Sequence, residues 1–165
     1  MHTNICSVNK NLESLGILTH SLAHKLYIKT WITKHNESSN DRLSLPGYQR
    51  YIGTNGQSLK GGCGFFVSDE LVFQPREDLN ISHRDNDSEF EANWIEIKTQ
   101  TNNNFLIAVL YRHPQKKNDA KFLEYLTNVI SNKIRKENKT VFITGDFNIN
   151  LLNIDSDEYT ETILY

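Results

Sequence analysis

The apolar positions of this chain fall into short runs with two different spacings, and those spacings predict its elements. Thr3 to Val8 is short and partly β-branched, and Asn9-Lys10-Asn11 leads into Leu12, Leu15, Ile17, Leu18 and Leu22 at helical spacing. Leu26 to Ile32 alternates loosely as a strand, and the Asn-, Ser- and Asp-rich run from Thr33 to Ser44 is a loop closed by Leu45-Pro46-Gly47-Tyr48. Tyr48 to Ile52 predicts a strand, Asn55-Gly56 a turn, and Phe65-Phe66-Val67 a further strand, with Val72 and Phe73 continuing its sheet. His83 to Glu89 is a loop by composition, after which Trp94-Ile95-Glu96-Ile97-Lys98 alternates as a half-buried strand. Beyond the turn at Asn102-Asn103-Asn104, the mostly apolar run Phe105 to Arg112 reads as the central strand of a hairpin, ended by Pro114. Asn118 or Asp119 caps a helix carrying Phe122, Leu126, Val129, Ile130 and Ile134, with Lys133, Arg135, Lys136 and Lys139 suited to its C-terminal dipole. Val141 to Thr144 predicts a buried strand that runs into Gly145-Asp146-Phe147-Asn148.

Strands mixed with a few helices, several strand pairs antiparallel, predict an α/β protein of sheets covered by helices, not a bundle or an all-β sandwich. The length of 165 residues fits one domain over 1–165, and 38% hydrophobic with 23% charged residues is ordinary for a globular chain. A net charge of −2 gives no bulk attraction to nucleic acid or anionic lipid, so a polyanion partner needs a local site. The longest apolar stretches, Phe105 to Tyr111 and Val141 to Ile143, are far below the ~18 residues that span a bilayer, which excludes a membrane role by helices. Met1 to Cys6 shows neither a basic nor an apolar leader region, and Cys6 and Cys63 stand apart without a His/Cys cluster. Reduced thiols in an intracellular chain are the expectation.

The most informative stretch is Thr140 to Asn150, centred on Gly145-Asp146-Phe147-Asn148. A carboxylate and a carboxamide two residues apart, at the mouth of a strand, offer an acceptor for a water proton beside a neutral hydrogen-bonding group. Gly145 permits close backbone approach. In isolation the same residues are ordinary turn formers. Tyr111 could equally be a core-edge aromatic with a wet hydroxyl, Arg112 an exposed strand-end arginine, and Asn4 a strand-end hydrogen-bonder. The run Lys133 to Lys139 reads as a solvated helix end, and Gly61, Gly62 and Gly64 lack phosphate-loop spacing.

The stretch is one of an ordered set. Asn4-Ile-Cys-Ser-Val-Asn9-Lys-Asn11, Leu45-Pro-Gly-Tyr48, Lys60-Gly-Gly62, Phe90-Glu91 before Trp94-Ile-Glu96-Ile, and Tyr111-Arg112-His113-Pro114 precede it in order. Together they resemble the endonuclease domain of non-LTR (LINE-type, Jockey-like) retrotransposons, of the endonuclease/exonuclease/phosphatase (deoxyribonuclease I-like) superfamily. The resemblance implies a four-layer α/β sandwich of two packed mixed sheets flanked by helices. It implies Mg²⁺-dependent hydrolysis of DNA phosphodiesters, nicking a target to prime reverse transcription. DNA and the reverse-transcriptase domain of a parent polyprotein are then the partners, and the nucleus the place of action. By matched position Asn4 resembles the first-strand asparagine near metal or phosphate, Tyr111 the phosphate-contacting tyrosine, Asp146 the water-activating carboxylate and Asn148 its orienting partner. Arg112 follows Tyr111 as a phosphate or DNA contact, and His113 stands where the family often has proline.

Two departures qualify the activity. Where the family has Glu-Thr-Trp-Leu, with glutamate the main metal carboxylate, this chain has Lys29-Thr30-Trp31-Ile32. No Ser-Asp-His segment follows Asn148, and none of the six histidines does. The sequence therefore predicts the N-terminal two-thirds of such a domain, final strands missing and activity impaired. A non-catalytic nucleic-acid or protein-binding remnant and another phosphoesterase of the superfamily are the alternatives.

Overall fold

A computed structural model describes residues 2–4, 26–30, 44–54, 63–81, 90–101, 103–113 and 119–148. The helix read over Leu12 to Leu22, the glycines at 61 and 62, the loop His83 to Glu89 and Pro114 lie outside the described residues.

Among the described residues, eight strands form two mixed sheets. The first holds β1 (His2–Asn4), β2 (Leu26–Thr30), β3 (Tyr48–Thr54) and β4 (Cys63–Ser68) in the order β1-β2-β4-β3. Only β1 and β2 are parallel there. The second holds β5 (Val72–Pro75), β6 (Phe90–Lys98), β7 (Phe105–Arg112) and β8 (Thr140–Asp146), in sequence order. Its β7–β8 pair is parallel and the others antiparallel. Val72 and Phe73 thus open the second sheet, pairing with Lys98 and Ile97, and do not continue the sheet of Phe65.

Strand alternation divides the second sheet between two cores. Phe90, Ala92 and Trp94 of β6 and Leu106, Ala108 and Leu110 of β7 pack with Phe122, Val129 and Ile134 of the helix. On the other face Ile95 and Ile97, with Ile107, Val109 and Tyr111, pack with Cys63, Phe65 and Val67 of β4. Each fully buried leucine, isoleucine or phenylalanine stabilises by about 1.5–3 kcal/mol. The sequence expectation of a half-buried strand over Trp94–Lys98 is therefore corrected, because β6 is covered on both faces through Ile97. Its polar side chains are held inside by specific partners. Asn93 Nδ2 donates to the Cys63 carbonyl at 2.6 Å, and Glu96 accepts from Lys98, Lys139 and Asn104 at 2.7 to 2.9 Å.

The helix begins at Asp119, and α1 (Asp119–Asn128) continues through a π-helical turn, Val129–Ile134, into α2 (Arg135–Glu137). In a π turn residues five apart align. Val129 and Ile134 accordingly both face the core, while Ile130, expected inside, is 43% exposed. Asn138 ends the helix in the left-handed conformation at φ 50°. Arg76, after β5, then ties this helix end to the sheet, pairing with Glu137 at 2.6 Å, Asp78 at 2.8 Å and Glu96 at 3.5 Å.

The strand expected to be buried over Val141–Thr144 is the outermost of its sheet among the described residues. One side of it packs on the helix through Val141 and Ile143, and the other leaves Phe142 55% exposed, edge-on to Phe105 at 5.8 Å.

Candidate active site

Register assembles the site. In β7–β8 Tyr111 is the partner of Asp146, and in β6–β7 it is the partner of Glu91. Partners on neighbouring strands share a face, so Glu91, Tyr111 and Asp146 form one row across three strands. That face is the one turned to β4. Glu91 is fully buried, Tyr111 is 2% exposed and Asp146 is half-buried at the end of its strand. Burial pushes the Tyr111 phenol up, and the charges of Asp146 and Glu91 push it further. The His113 ring stands edge-on to Tyr111 with centroids 4.8 Å apart.

The backbone around Asp146 is shaped by two residues. Gly145 has φ 149°, and a Cβ there would lie 1.9 Å from the Leu110 carbonyl oxygen, so β8 can approach β7 only without a side chain. Asn148 takes the left-handed conformation at φ 48°, and its backbone N–H donates to Asp146 Oδ1 at 3.2 Å. Between them Phe147 turns toward the helix core, its ring 6.2 Å from that of Phe122. The result is a carboxylate fixed at one oxygen by its own turn.

Arg112 and Asn148 clamp that turn reciprocally. Asn148 Nδ2 donates to the Arg112 carbonyl, while Arg112 Nη1 donates to the carbonyls of Phe147 at 3.0 Å and Asn148 at 3.4 Å. Arg112 is 9% exposed, so the guanidinium is a buried brace where an exposed strand-end arginine was the bland expectation. It follows Tyr111 directly and therefore leaves the strand on the opposite face.

Asn4 and Lys29 are placed by register. Asn4 is the partner of Thr30 and Thr3 of Lys29 in the β1–β2 pair, and Lys29 is the partner of Gly64 in β2–β4. The β1 and β2 backbones come close to β8. The structure thus brings together Tyr111, Arg112, Asp146 and Asn148, and sets the strand that carries Asn4 against theirs.

No protein-family model and no curated protein sequence matches this chain. Solved structures do match it. The endonuclease domain of TRAS1, a telomere-specific non-LTR retrotransposon, aligns with TM-score 0.64 and 14% identity over 99% of this chain and 66% of its own. D. rerio TDP2, complexed with single-strand DNA product, aligns with TM-score 0.64 and 10% identity over 90% and 57%. An endonuclease/exonuclease/phosphatase family protein from Bacteroides thetaiotaomicron aligns with TM-score 0.62 and 14% identity over 94% and 59%. The fold is of the endonuclease/exonuclease/phosphatase type. The likeness is one of fold, and the chain spans less than two thirds of the length of these three structures.

Glu91 is the member of the row that the sequence motifs include but to which they assign no role. Its signal was present: it lies on the same alternation as Ile95 and Ile97, which puts a carboxylate on an apolar face. Mg²⁺, which enzymes of this fold commonly use, favours carboxylate oxygens and water. Asp146, Asn148 and Tyr111 offer hard oxygen donors of that kind, yet among the described residues no three His, Cys, Asp or Glu side chains converge. Nor does any described helix have the length and apolarity to cross a membrane.

Proposed function

We propose that this chain is a retrotransposon-type endonuclease domain of the endonuclease/exonuclease/phosphatase fold whose inherited reaction, Mg²⁺-dependent hydrolysis of DNA phosphodiesters, is impaired. The observation that carries the reading is the Tyr111–Asp146 register with Asn148 closing on Asp146, in a chain whose motifs follow that family's order. Asp146 supplies the carboxylate that accepts a water proton. Tyr111 supplies a hydroxyl for a phosphate oxygen, Asn4 approaches from β1, and Arg112 acts through the turn it braces. In this reading the helix and two sheets are three layers of a four-layer sandwich. A reverse-transcriptase domain of a parent polyprotein is the partner that would use the nicked end.

Impairment follows from Lys29, which resemblance sets where the family has its metal glutamate. An ammonium in that position would remove a carboxylate ligand and add a positive charge that opposes a divalent ion. The experiment is plasmid nicking. This chain with Mg²⁺ or Mn²⁺ should leave supercoiled DNA intact, and Lys29→Glu in a chain extended by a Ser-Asp-His segment should relax it. Relaxation by the unaltered chain, abolished by Asp146→Ala, would show the reaction to be intact and refute the impairment.

Lys29 also favours a second reading, a binder without turnover, because an ammonium can hold a phosphate directly. That reading requires salt-dependent DNA binding that survives Asp146→Ala.

A further inference from the structure

The proposed chemistry gives no part to His113, which follows Tyr111 and Arg112 where the resembled family often has proline. A proline ring offers no donor, whereas a neutral imidazole carries one ring N–H in either tautomer. Two contacts fix where that imidazole sits. Its plane meets the Tyr111 ring edge-on, with centroids 4.8 Å apart and 80° between the planes. The peptide that joins His113 to Arg112 is held from β8, because the Arg112 carbonyl accepts from Asn148 Nδ2. The guanidinium of Arg112 turns instead to the carbonyls of Phe147 and Asn148. His113 therefore stands half-buried just past the end of β7, its ring on Tyr111 and its backbone tied to the turn that begins at Asp146.

We infer that His113 is a phosphate contact of this site: its imidazole N–H donates to a non-bridging oxygen of the same DNA phosphate that the Tyr111 hydroxyl meets. This role rests on the phosphodiester site read from Tyr111 and Asp146 under the proposed function. The physical reason is charge. Tyr111 has a carboxylate-bearing position on either side, Glu91 and Asp146, and carboxylate charge opposes an approaching phosphate. Arg112, the neighbouring cation, directs its Nη1 to two carbonyls. A phosphate beside the phenol thus needs hydrogen-bond donors close at hand, and a hydrogen bond to an ionised acceptor is about twice as strong as one between neutral groups. The ring already resting on Tyr111 is placed to supply one.

The test is a titration of the full chain with 5′-phosphorylated dithymidylate at fixed pH and salt, read by proton–nitrogen NMR of the histidine rings. The His113 ring signals, assigned with His113→Gln, should move on saturation, and thymidine, which has no phosphate, should leave them in place. His113→Ala should weaken binding about tenfold, and His113→Gln, which keeps an N–H donor, should recover part of that loss. Ring signals that stay still, that move equally with thymidine, or that belong to a chain without saturable binding each overturn the assignment. Should His113→Ala fail to fold, the ring signals of the unaltered chain decide alone. Weaker binding in Tyr111→Phe but not in His113→Ala would overturn the role of His113 and leave the phosphodiester site standing. Turnover is not needed for this readout, so plasmid nicking judges the proposed reaction separately.

Discussion

Tyr111 and Asp146 are register partners on parallel strands, and the phenol therefore leaves the sheet on the same face as the carboxylate. One residue back along each strand, Leu110 faces Gly145. The backbones come so close there that the glycine is part of what fixes the pairing.

Gly145→Ala should accordingly be severe. Its Cβ would meet the Leu110 carbonyl at 1.9 Å in a backbone conformation that side chains avoid. A loss of about 3 kcal/mol is expected, which for a chain of this size lowers Tm by roughly 6–12 °C. Gly47, at φ 80° but with open space around it, is the comparison: Gly47→Ala should cost about 1 kcal/mol in the same thermal unfolding experiment. Equal losses at both sites would show that the close approach contributes nothing.

At Asn148 the side chain and the backbone can be separated. Alanine removes the Nδ2 bond to Arg112 and places a Cβ at φ 48°, for an expected loss of about 1–2 kcal/mol. Glycine removes the same bond but accepts the backbone, so Asn148→Gly should be the more stable of the two in urea unfolding. The reverse order would mean that the left-handed conformation is unimportant.

Acid should weaken the fold through Glu96. Burial alone would raise its carboxyl, but bonds from Lys98, Lys139 and Asn104 outweigh that and hold it at about 2, below the ordinary 4.5. Hydrogen bonds from Arg76 lower Asp78 and Glu137 as well. Groups with a depressed folded value contribute stability that is complete above the unfolded value and is lost as pH falls through the folded one. Stability should stay level from pH 7 to about 5 and then drop toward pH 2, with Glu96 contributing on the order of 2–3 kcal/mol. Denaturant titrations at successive pH values check this, and Lys139→Met should lessen the slope.

A relay in the helix-side core yields a fourth expectation. Trp94 Nε1 donates to the Tyr125 hydroxyl at 2.7 Å, and that hydroxyl donates to the Leu79 carbonyl at 2.8 Å. Tyr125→Phe strands a buried indole N–H, so thermal unfolding should report a loss of about 1–3 kcal/mol, where deleting an exposed hydroxyl would report almost none.

Local pattern made much of this legible. The apolar run of Phe105 to Arg112 announced a central strand, the 119–137 helix announced itself by spacing, and Asp146 with Asn148 stood out at a strand mouth. The misses are non-local. Alternation in β6 gives two faces but does not say that both are covered, since β4 and the helix come from elsewhere in the chain. Val72 pairs forward with Lys98 and not back with β4, which no window of sequence can reveal. Ile130 was placed inside by a spacing of 3.6 that the π turn does not keep. The brace that Arg112 forms was hidden because its carbonyl partners, Phe147 and Asn148, lie 35 and 36 residues away.

The Arg76 cluster and the Tyr111 row sit at opposite ends of the second sheet: Glu96 pairs with Leu106, five residues and roughly 17 Å along β7 from Tyr111. They have no residue in common. Mutational drift can therefore erode the chemistry of one end while the fold is kept by the other, and a gene of this kind can outlive its own reaction as a folded protein open to new selection.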